Sequence, residues 1–342
     1  MTNLNKNELL RALEVVKPGL ANKEIIEQTT SFAFIDGRVV TYNDKISISH
    51  PVPGLEDLHC AVVADRLYKF LGKLKDENIS LSTGKDNELQ FKSGRTRVGL
   101  TLQSEVKLPL NQLESRKKWK ELPENFVKFV AFSMSSCSKD MSRPLLTCVH
   151  INENGIIEGA DSFRITHCNL QTNMPVDTFL LPSEASVEVV KLNPTLVAAG
   201  EGWIHFKNEE DTEISCRIMS DTYPDTNDII KCQGIRIILP KTIEETLERA
   251  MVFAKRDRML DEIVYISIEN NSILIEASSE EAWFKEDLNM RYSGTRIQFG
   301  ITPYLLKSIL SETYGCTLDE NKNKLKFEGE GWLYITLLRK SK

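Results

Sequence analysis

A chain of 342 residues, 41% hydrophobic and 27% charged, has the composition of a soluble globular protein and is too long for one ordinary core. No run approaches the roughly 18 apolar residues of a membrane span, and the polar start Met1-Thr-Asn-Leu-Asn-Lys6 lacks the apolar region of a signal peptide, so a cytoplasmic location is expected. A net charge of −6 argues against a protein that grips nucleic acid over its whole surface, but not against one whose basic residues gather on a single face.

Helix signals recur along the chain. The first is Asn7-Glu-Leu-Leu-Arg-Ala-Leu-Glu-Val-Val16, amphipathic and stopped by Pro18-Gly19. The second is Ala64-Asp-Arg-Leu-Tyr-Lys-Phe-Leu-Gly-Lys-Leu74, and the third starts at Pro123 and runs through Asn125 to Phe132. The fourth starts at Pro182 and continues through Val187 to Leu192, the fifth at Pro240 through Ile243 to Phe253, and the sixth at Thr302-Pro303 through Leu310. Pro123, Pro182, Pro240 and Pro303 are each expected at the first helical position, where a missing N–H is no loss. Between the helices, apolar and polar residues alternate and turn at polar or Gly-containing sites, as in Ser31–Tyr42 and Val264–Ile275, which read as antiparallel hairpins with one buried face.

The starts near residues 7, 64, 123, 182, 240 and 303 repeat at roughly 60 residues, a period that signals a repeat architecture, although evenly sized layers in any α+β protein would give a similar rhythm. The expected fold is therefore α+β, built from a strand, a helix and several strands repeated six times and paired into three similar domains, 1–119, 120–234 and 235–342. The polar stretches Arg116-Lys-Lys-Trp-Lys120 and Ile230-Lys-Cys-Gln-Gly234 read as the joints.

Near the middle stands Glu158-Gly-Ala-Asp-Ser-Phe-Arg-Ile-Thr-His-Cys168, which reads as two strands joined by a polar corner at Asp161 and Ser162. Three further stretches are distinctive: Ser93-Gly-Arg-Thr-Arg-Val-Gly-Leu100, Arg217-Ile-Met-Ser-Asp-Thr-Tyr-Pro-Asp225, and Tyr292–Lys307 leading into the last helix. Together, in this order and spacing, they resemble the bacterial DNA polymerase sliding clamp, the polymerase III beta subunit, along essentially the whole chain. The resemblance implies a head-to-tail homodimeric ring, with helices lining a hole and sheets outside. It also implies a non-enzymatic role, encircling double-stranded DNA without reading sequence and tethering the polymerase and clamp loader by short peptide motifs, at the nucleoid.

Carried over position by position, the family's peptide groove falls on Ala160, Ser162, Phe163, Arg164, Ile165, Pro224, Ile229, Tyr334, Thr336, Leu337, Leu338 and Arg339, as aliphatic walls with an Arg at the mouth. Ile229, Leu337 and Leu338 could equally be core or strand-edge residues. DNA-facing candidates on or beside the helices are Arg11, Lys17, Arg66, Lys69, Lys73, Lys128, Lys191 and Lys307. Those in loops are Lys23, Lys139, Arg143, Lys255, Arg256 and Arg258. The acidic groups Glu209–Asp211, Glu280-Glu281 and Glu286-Asp287 would face outward. Ring closure points to Val252 and Phe253 meeting Leu108 and Leu110, or to four core residues.

Departures from the family pattern mark a divergent form, of a kind a phage or plasmid could encode. Ser162-Phe163 replaces Gly-His, Leu337 stands where Pro is common, Arg339-Lys-Ser-Lys342 replaces a terminal Arg-Leu, and Lys23–Gln28 replaces a Pro-rich loop. No cofactor is expected, because the chain has no Gly-x-x-x-x-Gly-Lys-Ser/Thr phosphate loop and no recognisable nucleophile elbow. No metal is expected either: neighbours His59/Cys60 and His167/Cys168 point to opposite strand faces, and Cys148 with His150 makes only two ligands. Seven scattered cysteines without a Cys-x-x-Cys read as reduced, buried thiols. A clamp-derived adaptor that binds partners without encircling DNA remains the alternative to a working clamp.

Overall fold

The computed structural model describes residues 2–84, 87–113, 117–319, 321 and 323–339. Arg116 of the first expected joint and residues 340–342 of the expected tail lie outside the described residues. In chain order the elements are β1 (Thr2–Asn5), α1 (Lys6–Val16), β2 (Ser31–Ile35), β3 (Arg38–Tyr42), β4 (Ile46–Pro51), β5 (Cys60–Val63), α2 (Ala64–Lys73), β6 (Asn78–Thr83), β7 (Glu88–Ser93) and β8 (Thr96–Gln103). There follow β9 (Lys120–Glu121), α3 (Phe126–Met134), β10 (Cys148–Ile151), β11 (Ile156–Ala160), β12 (Arg164–Asn169), β13 (Phe179–Pro182), α4 (Ser183–Leu192), β14 (Leu196–Ala199), β15 (Trp203–Lys207) and β16 (Glu213–Arg217). The last are β17 (Gly234–Ile238), α5 (Ile243–Ala254), β18 (Val264–Glu269), β19 (Ser272–Ser278), β20 (Trp283–Asn289), β21 (Ile297–Ile301), α6 (Pro303–Leu310), β22 (Gly315–Asp319), β23 (Lys324–Gly329) and β24 (Trp332–Leu337). The order strand, helix, three strands thus recurs six times, and the fold is α+β with antiparallel sheets.

The helices form where apolar residues recur at three- and four-residue steps. On α1 the buried stripe is Leu9, Ala12, Leu13 and Val16, and its first turn is capped by Asn5, whose side chain accepts from the N–H groups of Asn7 and Glu8 at 2.8 and 3.4 Å. On α2 the stripe is Ala64, Leu67 and Leu71; on α5 it is Ile243, Leu247, Ala250 and Ala254. Each buried Leu of this kind contributes about 2 kcal/mol. Of the four prolines, only Pro303 occupies the first turn of its helix. Pro182 is the residue before α4, while Pro123 and Pro240 stand three residues ahead of α3 and α5 and accept from the first helical N–H at 3.2 and 3.0 Å. Those two prolines open a tight turn that winds into the helix, which the sequence pattern alone does not separate from a first helical turn.

The chain forms two compact units, Met1–Lys128 with Met174–Ser220, and Phe129–Asn173 with Asp221–Lys342. Residues of the expected middle domain contribute to both. In the first unit the strands run β1-β6-β7-β8-β5-β2-β3-β4-β16-β15-β14-β9. The first strand of one module pairs with the meander of its neighbour: β1 lies on β6 and β5 on β2. In the second unit one sheet runs β10-β11-β12-β24-β23-β22-β17 and another β20-β19-β18-β21, so β17 lies on β22 and β21 on β18. The second unit's main core gathers Ile243, Leu247, Ile266, Ile275, Phe299, Leu306, Phe327 and their neighbours from both sheets and both helices.

The cysteines form no disulfide, and all are buried except the half-buried Cys232. Burial pushes the thiols of Cys60 and Cys148 up to about 11 and that of Cys316 to about 12, so they stay protonated and unreactive near neutral pH. Among the described residues, no helix is long and apolar enough to cross a membrane, and no group of three or more His, Cys, Asp and Glu side chains could hold a metal ion.

One buried group ties stability to pH. His205 of β15 is 0% exposed, its Nδ1 lies 2.7 Å from Ser215 Oγ, and its Nε2 has no hydrogen-bond partner. Burial, reinforced by the charge of Lys117, lowers its pKa from 6.5 to about 4. The unfolded chain therefore takes up a proton that the folded chain refuses. The contribution is complete above about pH 6.5 and is lost as pH falls towards 4, on the order of 3 kcal/mol. Urea unfolding midpoints should fall between pH 7 and pH 4.5, and His205→Gln should flatten that part of the profile whatever its effect at pH 7. An unchanged slope in the variant would assign the acid sensitivity elsewhere.

Candidate functional site

The site lies in the second unit and starts at the corner between β11 and β12. Asp161 fixes it: its Oδ1 accepts from the N–H groups of Phe163 and Arg164 at 2.7 and 2.9 Å, and its own N–H donates to Arg164 O at 3.0 Å. This is the short side-chain-to-backbone closure that an Asp at a strand corner provides. Beneath the corner, the end of α3 packs so closely on β11 that a Cβ on Gly159 would lie 1.9 Å from Ser133 O.

The C-terminal strand β24 then zips onto β12, with Arg164 opposite Thr336, Ile165 opposite Ile335 and Thr166 opposite Tyr334. Leu337 N–H donates to Phe163 O at 2.8 Å, so the pairing runs up to the corner itself. Beyond β24 the chain is held by Leu338 N–H on Asn323 O at 2.8 Å and by a two-way bridge between Arg339 and Gly300 at 2.7 and 3.0 Å. The Arg339 guanidinium lies 5.4 Å from the Phe163 ring centroid, a cation–π distance.

Strand alternation sorts the candidate groove residues onto two faces. Ala160, Ile165 and Ile335 form one apolar cluster, with Leu146, Ile230, Cys232 and Leu333 packed against it. Ile229 and Leu337 are each 46% exposed and are therefore surface residues, not core. Ser162, Pro224 and Arg339 are exposed, and Phe163 and Leu338 half-buried. On the opposite face, Tyr334 is buried with its hydroxyl donating to Leu305 O at 3.0 Å, and Thr336 is fully buried. These two support the site from behind and do not line it.

Arg164 departs from the expected place at the groove mouth. It is only 8% exposed, with Nε 3.2 Å from Asp161 Oδ2, a terminal N–H on Ser135 O at 2.6 Å, and its guanidinium 5.4 Å from the Tyr304 ring centroid. A strand Arg beside an Asp reads from sequence as exposed; here the corner carboxylate and a helix-end carbonyl satisfy it internally. Two exposed guanidinium groups lie beside the corner instead, those of Arg339 and Arg143. Tyr304 of α6, Leu333 of β24, and Leu146 and Ile230 outside the strands and α-helices were not among the expected groove residues, since an isolated aromatic or aliphatic residue carries no local signal of such a role.

The candidate DNA-facing cations are exposed, apart from the half-buried Lys307, but not all carry an uncompensated charge. Arg11 pairs with Glu210 at 2.7 Å, Lys69 with Asp65 at 2.9 Å, Lys191 with Glu188 at 2.9 Å and Lys307 with Glu248 at 2.5 Å. Lys17 sits 4.3 Å from the Tyr68 ring centroid, and Arg143 donates to Ser162 Oγ at 2.8 Å. Arg256 donates to the carbonyls of Lys255 and Ser278. Lys23, Arg66, Lys73, Lys128, Lys139, Lys255 and Arg258 make no ion pair with the described residues. Of the acidic groups, Glu286 pairs with Arg249 at 2.6 Å and Asp211 with Arg38 at 2.5 Å.

Of the four ring-closure candidates, Leu108 is buried in a core with Tyr42, Ala61 and Trp203, with Leu110 packed against it. Phe253 stacks on Phe284 at 5.6 Å, while Val252 is 71% exposed.

No protein-family model matches the sequence, and no curated protein sequence matches it significantly. Solved structures do. The DNA polymerase III beta chain of Streptococcus pneumoniae TIGR4 superposes with a TM-score of 0.85 at 18% identity, covering 100% of both chains. The DNA polymerase sliding clamp of Bacillus subtilis gives 0.84 at 16% identity over 99% of each. The beta subunit of Thermotoga maritima gives 0.80 at 18% identity over 100% of this chain and 99% of that one. The chain therefore has the sliding-clamp fold from end to end, in a strongly diverged sequence.

Removing one partner from a buried, satisfied charge pair costs about 3 kcal/mol or more. Arg164→Leu should therefore lower the urea unfolding free energy by about that amount, whereas Ser162→Ala, at an exposed position, should change it by less than about 0.5 kcal/mol. Equal, small effects would show that the Arg164–Asp161 pair does not organise the corner.

Proposed function

We propose that the chain is a sliding clamp: a non-catalytic, head-to-tail ring of two copies that encircles duplex DNA and tethers a polymerase and other peptide-bearing partners. The observation that carries this reading is the sixfold strand–helix–three-strand module, superposable over its whole length on solved clamps. In this reading the modules pair into domains 1–119, 120–234 and 235–342, the helices face the DNA, and the protein works at the nucleoid.

A closed ring holds DNA by topology, so its inner wall needs only a modest positive potential and no base contacts. Lys17, Lys23, Arg66, Lys73, Lys128, Lys139, Arg143, Lys255, Arg256 and Arg258 are the cations available for that wall, since the other candidates are neutralised by nearby carboxylates. Ring closure would use the exposed Val252 and the rim at Leu110, with Leu108 and Phe253 as the packed layer behind them. The peptide groove would have Ala160 and Ile165 as its floor, together with Leu146, Ile230 and Leu333. Phe163, Ile229, Leu337 and Leu338 would be its walls, and Ser162, Pro224 and Arg339 its rim. A Leu or Phe anchor fits such a surface.

A partner-binding adaptor that no longer encircles DNA is the second reading. It is favoured by the acidic surface of α5, where Glu244 and Glu245 occupy the first turn, Arg249 is paired with Glu286, and Glu248 holds Lys307 of α6. The two readings separate on DNA topology. Loaded onto a nicked circular duplex by a bacterial clamp loader with ATP, a clamp should co-elute with the DNA in high salt and be released when a restriction enzyme linearises the circle. Salt should matter little, because topological retention does not depend on phosphate contacts, which weaken steeply with ionic strength. Absence of retention on the circle, or retention that survives linearisation, would contradict the clamp reading.

A further inference from the structure

One buried cluster of charge in the second unit lies outside the interactions described so far. Glu158 of β11 sits on a single rung of the sheet, opposite His150 of β10 and His167 of β12. Its carboxylate is almost wholly buried, with Oε2 3.1 Å from His150 Nδ1 and Oε1 2.7 Å from His167 Nδ1. Burial alone would raise its pKa, but the hydrogen bonds from His150, His167 and Thr226 outweigh that and hold it at about 2, so the group is a carboxylate at neutral pH.

Two of these bonds stay within the three strands β10, β11 and β12. The third does not: Thr226 Oγ1 donates to Glu158 Oε1 at 2.6 Å across 68 residues of sequence. Thr226 in turn starts a turn, its carbonyl accepting from Ile229 and Ile230 at 2.9 and 3.1 Å. Ile230 packs against the Ala160, Ile165 and Ile335 cluster. Three residues before Thr226, Tyr223 stacks on His150 with ring centroids 4.7 Å apart and planes 18° from parallel. Lys324 Nζ ties the far end through the carbonyls of Ile229 and Lys231 at 3.1 and 2.6 Å. The segment carrying Pro224 and Ile229 has no strand of its own, and its place against the hairpin is set by these few contacts.

We propose that Glu158 is a positioning residue for the peptide groove: by holding Thr226, it fixes where Pro224 and Ile229 stand against the β11–β12 corner. This rests on the groove reading given above. A hydrogen bond to a buried carboxylate is among the stronger ones in a protein, and an isosteric residue without the hydroxyl would leave that carboxylate short of a donor. Glu158 thus converts a loop position into a property of the sheet rung.

The test uses the full chain and a fluorescein-labelled decapeptide carrying one Leu and one Phe anchor. Thr226→Val should weaken binding about tenfold, and Thr226→Ser, which keeps the hydroxyl, should restore it to within about twofold of the parent. Amide hydrogen exchange at Ile229 and Ile230 should quicken in Thr226→Val while that of Ile165 and Ile335 is unchanged, a local signature that general destabilisation would not produce. Glu158→Gln should weaken binding to a similar degree, and the double variant should add little more. Wild-type affinity in Thr226→Val, unchanged exchange at Ile229 and Ile230, or fully additive losses would overturn the proposal while leaving the groove intact. A parent chain that does not bind the peptide would overturn the groove reading and this proposal together.

Discussion

Strands that leave their own module hold this protein together. β1 pairs with β6, β5 with β2, β17 with β22 and β21 with β18, so a module's three-stranded meander is completed by a strand that its neighbour supplies. A lone meander would expose a row of unpaired backbone groups at its edge, and the exchange covers it. The same exchange sets α1 beside α2 and α5 beside α6: Tyr68 of α2 donates to Glu14 of α1 at 3.1 Å, and Lys307 of α6 pairs with Glu248 of α5. Repetition of one module thus becomes an obligate pairing of modules, which is the physical basis for reading the repeat as a chain of domains.

The pairing of β12 with β24 is the second consequence of sheet continuity. It brings residues near position 160 and residues near position 337 into adjacent strands, and the backbone ladder fixes their register. Phe163 and Arg339, whose side chains meet as ring and cation, are neighbours only because Leu337 N–H reaches Phe163 O and Arg339 bridges to Gly300. The candidate groove is therefore built on rigid strands along two sides. Its third side, residues 223–230, depends on side-chain bonds. Such a construction gives a fixed floor and one wall whose position a few polar contacts decide.

The helices were legible in the sequence because amphipathic stripes such as Leu9, Leu13 and Val16 occur at helical spacing and because the chain breaks at polar or proline-containing turns. The β11–β12 hairpin was legible for the same local reason: Asp161 closes the corner with its own side chain. What was not legible depends on partners far along the chain. Nothing near Arg164 announces that Ser135 O and the Tyr304 ring will enclose it, and nothing near Tyr334 or Thr336 tells which sheet face is covered by α6. The strand exchange likewise has no local signature, since an alternating strand pairs equally well with its own meander or the next. The Glu158–Thr226 bond is the extreme case, joining two unremarkable polar residues that only the fold makes neighbours.

The account stands on a geometric claim: that six such modules, doubled, enclose a channel through which a double helix can pass. Electron-microscopic class averages of the purified protein in solution test it most directly. The account predicts closed rings of two chains with a central opening wide enough for duplex DNA. Solid particles with no opening in any assembly would contradict it, however closely each chain follows the clamp fold.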